Sequence, residues 1–147
     1  LPTIKAKYIA TGQVRYEFRE FPTPPAQIAV AGAAIARCAG EDKYYDVIDA
    51  FFARQNDILN GARQGTAGAV ILEVASQFGF TKESVDACFG NQAVIGQIQK
   101  SVESGDALGV SSTPTIILNG RMLTGADGRT VESLSGLIDA ELAAVGQ

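Results

Sequence analysis

The stretch GVSSTPTIILNG, residues 109–120, sets Pro114 directly before a β-branched run and closes on Asn119-Gly120. Asn-Gly is a strong hairpin signal, because a type I′ turn needs positive φ at both central residues. With Arg121-Met122-Leu123 beyond it, the pattern predicts a hairpin over 115–123. Pro114 has no N–H to give a ladder, so it belongs at the first position of the strand, where that donor is not needed. Ser111, Ser112 and Thr113 suit a tight turn leading into it. On X-Pro frequencies alone, the Thr113–Pro114 bond is expected to be trans.

Downstream, TGADGRT reads as a polar loop, and Thr130 opens a helix whose Val131, Leu134, Leu137, Ile138 and Leu142 form one apolar stripe. Upstream, from about Ala26 to Leu108, five helical patterns follow one another and no strand pattern is visible. They are AQIAVAGAAIARC, EDKYYDVIDAFFARQ, TAGAVILEVASQFG, a segment N-capped by Thr81, and NQAVIGQIQKSVESGDAL. The aromatics Tyr44, Tyr45, Phe51, Phe52, Phe78, Phe80 and Phe89 read as packing at helical spacing rather than as a ligand pocket. Before Pro22, Pro24 and Pro25, residues 13–20 alternate Val14, Tyr16 and Phe18 with Arg15, Glu17 and Arg19, which predicts a half-buried strand. The opening LPTIKAKYIATG reads as the tail of a helix ending at Gly12. The resulting order is helix, strand, helical block, two strands, helix.

Composition narrows the function. A chain of 147 residues with 46% hydrophobic and 19% charged content can bury one core, or one domain carrying an inserted subdomain. A net charge of −4 without a basic cluster gives no footprint for nucleic acid, and no apolar run approaches a membrane span. With no histidine, imidazole relays and His-containing metal sites are excluded. No metal or other cofactor is expected. Cys38 and Cys88 lie too far apart in sequence for a C-x-x-C or a metal pair. They are either two buried thiols or one disulfide, whose loop closure is worth roughly 4 kcal/mol.

The GVSSTPTIILNGR stretch, the segment VRYEFREFP and the helical block between them resemble the DsbA-like thiol-disulfide oxidoreductases of the thioredoxin superfamily, over nearly the whole chain. The resemblance implies an α/β, thioredoxin-like fold split by an all-helical insertion. Residues 1–25 and 108–147 would form a discontinuous, partial thioredoxin-like domain, and 26–107 the insertion subdomain. It implies a cis Thr113–Pro114 bond, with Ser112, Thr113 and Pro114 binding an extended substrate peptide as an added strand. It also favours a structural disulfide between Cys38 and Cys88, as some members carry a second, non-catalytic bridge.

The family's first strand and its catalytic C-x-x-C would precede Leu1, so the chain is expected to be a fragment that is itself inactive. Arg15 and Glu17 are the nearest counterparts of a buried proton-moving charge, but a solvated edge face explains them better, and neither is taken as a site. The implied activity is disulfide formation or exchange in exported proteins, in a periplasmic or otherwise oxidising, secreted setting. The implied partners are unfolded or partly folded thiol-bearing proteins and a membrane or soluble partner that reoxidises the enzyme. Two alternatives share the fold: a redox-inactive peptide-binding or chaperone module, and a glutathione-dependent isomerase with serine at the first motif position.

Overall fold

The computed structural model describes residues 2–146. In chain order the elements are α1 (Pro2–Ile4), a π-helical turn (Lys5–Ile9), α2 (Ala26–Cys38), α3 (Tyr44–Ala53), α4 (Gln55–Gln64), α5 (Ala67–Ser76), α6 (Lys82–Phe89), α7 (Gln92–Ala107), β1 (Ile117–Leu118), β2 (Arg121–Met122) and α8 (Val131–Val145). They divide into two compact units, Leu1–Arg19 with Ser112–Gln147, and Glu20–Ser111. Leu1, the first apolar position of the expected opening helix, lies outside the described residues.

The first unit is built around Ile4, Tyr8 and Ile138, flanked by Ile9, Val14, Leu118, Leu134 and Leu142. Burial of such side chains contributes about 1.5–3 kcal/mol each, which ties the start of the chain to α8. Tyr8 is 1% exposed, and its hydroxyl donates to Asp139 Oδ1 at 2.9 Å and to the Ser135 carbonyl at 3.2 Å. The opening helical segment ends at Ile9, three residues before the expected Gly12, which closes the following turn with φ +75°.

Asn119 (φ 47°) and Gly120 (φ 80°) turn the hairpin, and β1 pairs antiparallel with β2 in the register Ile117 to Met122 and Leu118 to Arg121. A further bond from Leu123 N–H to the Ile116 carbonyl, 2.9 Å, extends it by one step. Regular pairing is therefore shorter than the expected 115–123.

Three expectations need correction here. The predicted strand over 13–20 has no ladder partner among the described residues, and the sheet consists of β1 and β2 alone. Its side chains do alternate: Val14, Tyr16 and Phe18 are half-buried and Glu20 buried, whereas Arg15, Glu17 and Arg19 are exposed. Alternation reports which face is covered; pairing needs a second backbone, which one segment's pattern does not supply.

The second unit holds six helices rather than five. The additional one, α4, buries Ile58 and Gly61. Its QNDILNGARQ sequence is rich in residues of weak helix propensity, so packing sustains it. A Cβ on Gly61 would lie 3.1 Å from the Ala67 backbone, so a side chain there would push α4 and α5 apart by a few tenths of an ångström.

The reading of every aromatic as packing also fails, because Tyr45, Phe52 and Phe89 are exposed, Phe52 by 57%. On α3 the covered stripe is Tyr44, Val47, Ile48 and Phe51, at spacings of three and four, and Tyr45 and Phe52 fall one position off it. Phe51 packs over Gly32 of α2, where a Cβ would meet its ring at 3.5 Å.

Candidate functional site

Ser112, Thr113 and Pro114 form an exposed bend that leads into the hairpin of the first unit. The Thr113–Pro114 peptide bond is cis, as is Pro24–Pro25. Thr115 Oγ1 donates to the Ser112 carbonyl at 2.6 Å, closing the bend on itself around Pro114. The N–H groups of Thr113 and Thr115 have no protein acceptor among the described residues. Two free donors flanking a donor-less proline, at the approach to an ordered hairpin, are a geometry that an extended backbone can bind.

Cys38 and Cys88 belong to the second unit and are joined in a disulfide with Cα atoms 6.2 Å apart, within the ordinary range for such a bridge. It links the last residue of α2 to α6. Thr81 and Ser84 fix the start of α6 by a reciprocal capping box: the Thr81 side chain accepts from Ser84 N–H at 3.3 Å, and Ser84 Oγ accepts from Thr81 N–H at 2.8 Å. The two sulfurs differ in setting. Cys88 is 4% exposed and packs with Ala33, Ala34 and Ile98, whereas Cys38 is half-buried at the edge of that cluster. No free cysteine is present among the described residues, and no cluster of three His, Cys, Asp or Glu side chains could hold a metal there.

Among the described residues, the buried charged side chain is neither Arg15 nor Glu17. These pair with each other at 3.1 Å in solvent, and Arg15 is 88% exposed. It is Glu20, 4% exposed, at the start of the second unit. Glu20 Oε2 accepts from Arg37 Nη2 and Oε1 from the Tyr44 hydroxyl, both at 2.7 Å. Arg37 Nε also lies 2.7 Å from Oε1, close enough for ion pairing, although its N–H is not aligned for a hydrogen bond. Ser101 Oγ donates to the Glu20 carbonyl at 2.9 Å.

Burial opposes ionisation of Glu20, but hydrogen bonds from Arg37 and Tyr44 outweigh it and hold the carboxyl below its usual range. Burial first, and the bond to Glu20 second, push the Tyr44 phenol far above its usual value. The sequence carried a signal for Glu20: it shares the parity of Val14, Tyr16 and Phe18, the covered face of the alternating segment.

A bent cis-proline loop feeding a hairpin, packed with a terminal helix, is the arrangement of a thioredoxin-like domain. In agreement, the family described as thioredoxin matches residues 1–140, and the chain belongs to that family. No curated protein and no solved structure matches the chain.

Proposed function

We propose that this chain is the substrate-holding part of a DsbA-like thiol-disulfide oxidoreductase that forms or exchanges disulfides in exported proteins. The observation that carries the reading is the exposed Ser112–Thr113–Pro114 bend with its unpaired Thr113 and Thr115 donors. An extended, unfolded polypeptide docks there as an added strand, its carbonyls accepting from those two N–H groups.

The chemistry belongs to a dithiol outside these 147 residues, which contain no C-x-x-C. A thiolate of the substrate attacks the enzyme disulfide, a mixed disulfide forms, and the substrate's second thiolate displaces the enzyme sulfur. The substrate leaves oxidised, the enzyme is left as a dithiol, and a redox partner restores it. In this reading Glu20–Ser111 corresponds to the helical insertion, with Cys38–Cys88 as its structural bridge. That bridge favours a periplasmic or secreted setting, since it persists where thiols are oxidised. None of the described helices is long and apolar enough to cross a membrane.

The test is turnover. Mixed with a reduced, unfolded protein and an oxidant, the chain should leave the rate of disulfide formation at its uncatalysed value. Repeated turnover abolished by replacing Cys38 or Cys88 would overturn this reading.

A further inference from the structure

Of the two bridged cysteines, Cys38 is half-buried, whereas Cys88 is 4% exposed. An open pocket of about 240 Å³ is lined by Cys38 but not by Cys88, and by Lys43, Phe78, Phe80 and Ser84. It is smaller than the cavities that hold drug-sized ligands and suits a molecule of a few heavy atoms. Lys43 is the charged residue of its lining; Glu41 and Asp42 precede it in the chain but do not line the pocket. No hydrogen bond or ion pair engages the Lys43 side chain among the described residues, so its ammonium is free to meet an anion. Phe78 and Phe80 are half-buried and give the pocket apolar walls.

We infer that this pocket is a thiolation site, at which a small thiol bearing a carboxylate opens the bridge by attack on Cys38 Sγ. The thiolate forms a new S–S bond to Cys38 as the Cys38–Cys88 bond breaks, and the electron pair leaves on Cys88. Cys88 then takes up the proton the incoming thiol lost. Its site is apolar and disfavours a thiolate, whereas the protonated thiol has an acceptor in place, the Ala34 carbonyl oxygen 3.0 Å from Cys88 Sγ. The product is a mixed disulfide on Cys38 and a buried thiol at Cys88, with one thiol consumed per chain. Because this is a single stoichiometric exchange, it stands apart from the turnover proposed above.

The test compares 3-mercaptopropionate, which carries a carboxylate, with neutral 2-mercaptoethanol on the folded chain at neutral pH. Disulfide opening is followed by mass after acid quenching and alkylation. The adduct is expected on Cys38, with Cys88 recovered as the alkylated thiol. Replacing the exposed Lys43 by alanine should slow 3-mercaptopropionate about fivefold while leaving 2-mercaptoethanol within a factor of two, an effect of the size expected for a solvent-screened charge pair. Dividing the variant's rate by the parent's for each thiol removes the thiols' own difference in nucleophilicity. An adduct on Cys88, equal slowing of both thiols, or a bridge that opens only after denaturation would each overturn the inference.

Discussion

Glu20 concentrates the polar energetics of the second unit in one side chain. A carboxylate 4% exposed is tolerable because Arg37 and Tyr44 supply three close contacts to its oxygens. Glu20→Gln keeps the shape but leaves the guanidinium without its counter-charge, and should cost about 2–4 kcal/mol in denaturant unfolding. Tyr44→Phe removes one hydrogen bond to a charged acceptor and should cost about 1.5–3 kcal/mol. The folded carboxyl titrates below its ordinary value of 4.5, so its contribution is complete above that pH and is lost as pH falls through the folded value. Stability of the parent should therefore decline on acidification below 4.5 more steeply than that of Glu20→Gln, as melting temperatures across the acid range would reveal. The position was legible in principle from its parity with Val14, Tyr16 and Phe18, but an acid following an alternating run reads by default as solvated.

The elements separate into those fixed by local chemistry and those fixed by packing. The Asn119-Gly120 turn is local, because positive φ at two successive residues excludes most side chains, and the hairpin appears where the dipeptide puts it. Gly120→Val, placing a β-branched residue at φ 80°, should destabilise the first unit by about 1–2 kcal/mol, measurable as a lower urea midpoint. By contrast, α4 is weak in propensity and rests on Ile58 and on the close approach of Gly61 to Ala67, contacts that become visible only once α5 is in place. The 13–20 segment failed as a strand for a related reason: its period was plain, but a ladder depends on a partner that its own residues do not specify. For α3, the spacing of three and four separates covered Tyr44 and Phe51 from exposed Tyr45 and Phe52; counting aromatics without assigning faces merged them.

At the scale of the whole molecule, the Cys38–Cys88 bridge closes a loop of 50 positions within the helical unit. On the chain-entropy relation, removing it by the double change Cys38→Ala and Cys88→Ala should cost about 4 kcal/mol, seen as a fall in the urea midpoint with a steeper slope, because the unbridged unfolded chain exposes more surface. Membership of the thioredoxin family was legible from the proline-hairpin motif together with the order of elements, and the match over residues 1–140 agrees with it. The central claim is that the bend at 112–114 holds an extended polypeptide. Its most direct test is amide hydrogen exchange at Thr113 and Thr115 with and without an excess of a reduced, unfolded peptide. Slowed exchange at those two amides, with the helices of the second unit unchanged, is the expected result. Bound peptide that leaves both amides as fast as before would contradict it.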